Sequence, residues 1–224
     1  MKKTLVTTAV ISLASLSSAS AVVVEVGGGT TSVDLDLMTL ETVGLTLTGA
    51  DTTGTAEPNF IVGFPINSRT GGVIPTTFTY DSAAFAPFGG AIEHTGTVSF
   101  ILGGNPLVLG DFTIGYDAGR VAGAASGFFV ESTTGGITDG LNAILFDISG
   151  PTPATSLTEL TITGGEPTGG AGLLVSPELA GLLGNNGLIG ATVGSARVDA
   201  LAIPEPSTAL LGLVGLAFGM RRRR

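Results

Sequence analysis

Cysteine and tryptophan are both absent from the 224 residues, and beyond Lys3 there is no lysine. Without cysteine the chain can form no disulfide, no thiolate metal site and no cysteine nucleophile, and it cannot carry a lipid-modified cysteine behind an export signal. Without lysine the rest of the chain is closed to Schiff-base chemistry, to a phosphate-loop lysine and to lysine–asparagine isopeptide crosslinks. Histidine occurs once, at His94, which is too few imidazoles for a catalytic zinc. With tyrosine only at Tyr80 and Tyr116 and no tryptophan, the ring platforms on which sugars stack are scarce.

Basic residues are not only few but displaced to the ends. Lys2, Lys3 and Arg221 to Arg224 account for six of the nine, which leaves Arg69, Arg120 and Arg197 against 17 acids between Val22 and Ile203, a formal charge of −14. A surface of that sign repels phosphate backbones, so nucleic-acid binding is excluded in practice. The same acidity opposes self-association and attracts basic partners or hard cations.

The two ends read as targeting segments. Lys2 and Lys3 precede an apolar stretch from Leu5 to Leu16, and Ala19-Ser20-Ala21 supplies a small-x-small site. This order is that of a secretory signal cut after Ala21, and the stretch is too short to span a bilayer. At the other end Pro204-Glu205-Pro206-Ser207 leads into the uncharged run Thr208 to Met220 and then four arginines.

Between them lies one body of roughly 180 residues, long enough for one substantial core. The chain's 36 glycines, all but Gly212, Gly215 and Gly219 in this body, and abundant threonine and valine predict short strands joined by turns. Val98, Phe100 and Leu102 alternate with polar or outward positions, as do Phe112, Ile114 and Tyr116, and Leu160 and Ile162; this is the pattern of half-buried antiparallel strands. Strands are expected near 22–26, 32–37, 41–48, 59–64, 73–80, 92–102, 107–116, 127–132, 142–148, 157–163 and 191–201. Gly27 to Gly29 and Asp117-Ala118-Gly119 are expected as turns. One short helix is expected, capped by Ser176, with Pro177 in its first position, Glu178 at its positive end and Gly184 as its stop. The fold class is therefore all-β, an antiparallel β-sandwich, jelly-roll-like or related, with one short helix. Its divisions are a signal over 1–21, the body over 22–202 and a tail over 203–224.

Candidate chemistry in the body is thin. His94, beside Glu93 and ahead of a strong strand, is expected as a surface strand residue rather than a base, because no serine sits in a G-x-S-x-G elbow; Ser195 lacks the second glycine. Asp34, Asp36 and Glu41, and separately Asp111 and Asp117, are the only groupings that suit a hard cation such as Ca²⁺. No D-x-D-x-D-G loop is present, and solvated acids are the expected reading, so no metal or other cofactor is assigned. Phe128-Phe129 places one ring on each face of its strand, so one of the two is a candidate for exposure.

The tail resembles the PEP-CTERM sorting signal of Gram-negative bacteria. The likeness rests on Pro204-Glu205-Pro206, the apolar run and the arginine cluster in that order, and covers Ile203 to Arg224, about a tenth of the chain. It implies Sec-type export with removal of the signal by signal peptidase, a precursor held in the inner membrane, recognition of the Pro-Glu-Pro motif by the membrane transpeptidase exosortase, and delivery to the cell surface or an extracellular matrix linked to exopolysaccharide. Physically, the arginines stop translocation on the cytoplasmic side and the prolines keep the motif extended. Ser207 to Met220 is only 14 residues, about 21 Å of helix against roughly 30 Å of hydrocarbon, which suits a temporary hold. Gly212, Gly215 and Gly219 offer a smooth face to another helix. The expected role is noncatalytic, structural or adhesive, in biofilm or envelope. The alternatives are a secreted polysaccharide-acting hydrolase and a calcium-dependent glycan-binding module with the same tail.

Overall fold

A computed structural model describes residues 22–71 and 74–204. The signal over 1–21 and the tail beyond Pro204 lie outside the described residues.

The first and last strands of the body form its spine. β1 (Val23–Leu35) and β15 (Thr192–Pro204) pair antiparallel from Val24 opposite Pro204 to Leu35 opposite Gly194. The inward residues Val24, Val26, Val193 and Val198 are at most 4% exposed, and each buried side chain of this size contributes about 2 kcal/mol. The expectation of two strands separated by a turn at Gly27 to Gly29 is corrected here: the strand runs through, with a bulge between Val26 and Gly28. The physical reason is close approach. Gly29 has φ +125°, and a Cβ there would lie 2.7 Å from the Ala200 Cα, so glycine lets the two backbones touch where turn chemistry was expected.

Each edge of the spine then forks. On the β1 side, β3 (Val62–Ile66) pairs with the later half and β4 (Thr79–Asp81) with the earlier half, and β5 (Phe85–Gly89) follows β4. On the β15 side, β13 (Glu159–Thr163) pairs near its end and carries β12 (Thr152–Thr155), while β14 (Ala171–Val175) pairs near its start. From β14 the sheet continues through β11 (Asn142–Ser149), β10 (Ala125–Thr133) and β9 (Thr113–Ala122) to β6 (Ile92–Glu93). The bridge from Ile66 to His94 joins the far edge back to β3, so the twelve-stranded sheet curls around and meets itself. β2 (Leu45–Asp51), β7 (Thr97–Leu102) and β8 (Asn105–Gly110) form a separate three-stranded sheet, which sends Leu45, Val98, Phe100 and Leu109 into the common core. The expected all-β, sandwich-like class is what the chain adopts.

The expected helix forms as α2 (Pro177–Leu182). Ser176 accepts from the Leu179 amide at 3.0 Å, Pro177 opens the first turn and Glu178 sits in it. Gly184 adopts φ +66°, and the amides of Gly184 and Asn185 return to the carbonyls of Gly181 and Ala180, a Schellman ending that glycine makes inexpensive. A second helix, α1 (Leu37–Thr42), forms where the end of one strand, a short connection and the start of the next are expected. Asp36 caps it, accepting from the Thr39 amide at 3.1 Å and the Thr39 hydroxyl at 2.6 Å. The Asp117-Ala118-Gly119 turn is also corrected. Residues 117–120 bulge out of β9 between Tyr116 and Val121, which pair with Phe128 and Ser126.

Candidate functional site

The end of the body from which the candidate sorting tail leaves is built by the spine. β15 carries the chain as an ordered strand to Pro204, opposite Val24 on β1. Val22, the residue after the expected signal cut, accepts a backbone hydrogen bond from Ser82 at 3.0 Å and packs against the core. Both ends of the body therefore leave side by side from one end of the β1–β15 pair. The fold explains this locally, since an antiparallel first-and-last pair necessarily puts its outer ends together. Of the residues singled out in the tail and signal, Glu205, Pro206, Arg221, Arg222, Arg223, Arg224, Ala19 and Ala21 lie outside the described residues. Among the described residues no helix is long and apolar enough to cross a membrane.

His94 is not the surface residue that its polar neighbours implied; it is 3% exposed. Nδ1 lies 2.7 Å from the Phe112 carbonyl and Nε2 lies 2.7 Å from the Thr31 hydroxyl. A carbonyl can only accept, so Nδ1 carries the proton, and Nε2 accepts from Thr31 in the neutral ring. Burial pushes the imidazole pKa down to about 4, with the Phe112 carbonyl opposing in part. The ring borders an apolar interior pocket shared with Phe64, Phe100 and Phe112. Neither ring nitrogen is bonded to a serine or a carboxylate, and both are occupied, so His94 acts as a polar rivet between β1, the β6 edge and the residue that precedes β9. Nothing in this arrangement provides a solvent-reached general base.

The three arginines of the body are each committed to carboxylates. Arg120, on the bulge of β9, gives its Nε to Asp147 at 2.7 Å and its Nη1 to Glu178 at 2.8 Å, with Nη2 reaching both carboxyls at 3.2 and 3.0 Å. Its guanidinium also lies 5.7 Å from the centre of the Phe129 ring, a cation–π distance. The bulge, β11 and the first turn of α2 are thus clamped by one side chain. The hydrogen bonds from Arg120 hold the Glu178 carboxyl below its usual range. Arg69 pairs with Glu25 at 2.7 Å and Arg197 with Asp199 at 2.8 Å. With its bases spent internally, the body presents net negative charge. The clamp was not legible in the sequence, because its partners stand 27 and 58 residues from Arg120.

Three of the grouped acids, Asp36, Asp111 and Asp117, bond backbone amides. Asp36 caps α1, and the Thr39 hydroxyl, its strongest partner, lowers its pKa. Asp34 on β1 is raised, first by burial and then by Asp36. Asp111 accepts from the Gly96 amide at 3.1 Å and Asp117 from the Gly119 amide at 2.8 Å. Among the described residues no three such groups come together to hold a metal ion.

The aromatic side chains gather rather than spread. Phe85, Phe88, Tyr116 and Phe128 pack with ring centres 5.0 to 6.3 Å apart, and Tyr116, 42% exposed, is the edge that meets solvent. Of the Phe128-Phe129 pair, Phe128 is 8% exposed and Phe129 is half-buried beside Arg120. Tyr80 is fully buried, donates to the carbonyls of Ser156 and Glu159 at 2.9 and 3.1 Å, and is pushed up to about 12 by burial.

Neither a scan against models of known protein families nor a search of curated proteins finds a match to this chain.

Proposed function

We propose that the protein is an exported cell-surface or extracellular-matrix component of a noncatalytic kind: a β-sandwich delivered by its signal, held for a time by its C-terminal apolar run, and released through its Pro-Glu-Pro motif. The observation that carries this reading is the pairing of Val24 with Pro204. If the signal and the apolar run both lie in one membrane with Lys2, Lys3 and the four arginines on the cytoplasmic side, both ends of the body must face that membrane together. An antiparallel first-and-last strand pair meets the requirement without any linker.

The expected partners follow from the tail's resemblance: the Sec machinery and signal peptidase at the front, an exosortase at the back, and exopolysaccharide in the matrix. The acidic body, whose arginines are internally paired, suits a matrix component that stays soluble during transit. Fractionation of cells producing the full chain, beside a chain ending at Ser207, tests the reading. The full chain is expected in the inner-membrane fraction before processing and the shortened one in the soluble exported fraction. Recovery of both in the soluble fraction, in a host lacking the processing enzyme, would overturn it.

A further inference from the structure

Four apolar side chains surround the point at which the body ends. Val23, Leu157, Leu201 and Ile203 are 47%, 47%, 61% and 48% exposed. Leu201 stands opposite Gly28 on one side and Glu159 on the other, and Ile203 opposite Glu25, so Leu201 and Ile203 share the outer face of the sheet as alternate residues of one strand. Ile203 lies over Gly27, where a Cβ would collide with its Cγ1 at 2.8 Å. The Leu157 loop is tied to the same place by the Ala202 amide, which donates to the Thr158 carbonyl at 2.9 Å. The nearest acid on β1, Glu25, is neutralised by Arg69 at 2.7 Å. Single exposed apolar residues elsewhere need no explanation; this group differs in where it sits.

We propose that this end of the body is a membrane-seating face, on which Val23, Leu157, Leu201 and Ile203 rest in the interface of the bilayer that holds the protein's own tail. The inference rests on the sorting-tail reading. Only Glu205, Pro206 and Ser207 separate the last strand residue from the apolar run, a reach of about 10 Å at full extension. The run itself, Thr208 to Met220, is about 10 Å shorter as a helix than the hydrocarbon it must occupy. Drawing the run inward therefore draws this end of the body onto the surface, where the four apolar side chains stand with Glu159, the exposed acid opposite Leu201. Interfacial burial of apolar groups to a depth of roughly 5–10 Å is favourable, and it supplies the contact that the short run cannot make alone.

Because the chain has no tryptophan, a single introduced indole reports its own surroundings. The full chain is reconstituted into zwitterionic phosphatidylcholine vesicles with brominated acyl chains, carrying in turn Leu201→Trp, Ile203→Trp, Met38→Trp or Leu213→Trp. Met38, 80% exposed, follows the far end of β1, which is about 35 Å from Val24 at strand rise. The expected result is blue-shifted, quenched emission at 201, 203 and 213, with neither change at 38. Quenching at 213 without quenching at 201 and 203 would overturn the seating face and leave the tail reading standing. No quenching at 213 would overturn both. Quenching at 38 as well would mean general adsorption, and a blue shift at 201 without quenching would mean contact with a second copy; either result contradicts the proposal.

Discussion

Replacing His94 by glutamine gives the sharpest test of the core. In the folded protein the ring is neutral, its pKa lowered by burial from 6.5 to about 4. Below pH 6.5 the unfolded chain takes up a proton that the folded chain refuses, so the folded state loses stability as pH falls. That loss approaches about 1.4 kcal/mol per pH unit and levels off near pH 4, for a total of roughly 3 kcal/mol. Stability from this group is therefore complete above pH 6.5 and disappears on acidification. Glu93 works in the opposite direction: burial, opposed by its Thr113 hydrogen bond and aided by Glu131, raises its carboxyl, so its contribution improves as pH falls. Because that contribution is shared by both proteins, the informative quantity is wild-type stability minus that of His94→Gln, from urea unfolding followed by circular dichroism between pH 7.5 and 4. The difference should shrink by roughly 3 kcal/mol over that range. A difference that stays constant would mean that His94 titrates alike in both states, and the rivet between Thr31 and Phe112 would be refuted. As the only histidine, its ring resonances can be followed by NMR without assignment ambiguity, and they should not titrate above pH 5.

The clamp and the spine make further predictions. Arg120→Ala leaves the mostly buried Asp147 carboxylate, with a side chain 12% exposed, without its cation, and should cost about 2–3 kcal/mol; Glu178→Gln, whose side chain is 42% exposed, should cost under about 1 kcal/mol. Equal losses in thermal unfolding would contradict the geometry. Gly29→Ala combines a left-handed backbone with a collision against Ala200, and about 3 kcal/mol of destabilisation is expected. Gly44→Ala, also at positive φ but with open space around it, should lose only about 1 kcal/mol. A reversed order would show that β1 and β15 do not approach as described.

What was legible in the sequence was local. The helix at Pro177 could be read because Ser176, Pro177, Glu178 and Gly184 all signal the same element within nine residues. The all-β class followed from alternation in strands such as Thr97–Leu102 and Glu159–Thr163, which bury alternate residues in part or throughout. Where the chain departed from expectation, the cause was a partner distant in sequence. Gly27 to Gly29 resembled a turn because the backbone of Ala200, which Gly29 accommodates, is invisible locally. Ala171–Val175 gives no strand signal because β14 is buried on both faces, so it has no alternation to detect. The burial of His94 depends on Thr31, 63 residues away. α1 falls on the connection expected between strands 32–37 and 41–48, and Asp36, which reads locally as a surface acid, is its cap. At the C-terminal end the resemblance to a sorting motif can be read locally, but the adjacency of Pro204 to Val24 requires the fold.

The central claim is that the body is delivered and then parted from its tail. The intact mass of the protein released from the surface of a producing cell tests this most directly. The account predicts a chain beginning at Val22 and ending ahead of Thr208, without the apolar run or the arginines. Surface material that still carries Thr208 through Arg224 would contradict it.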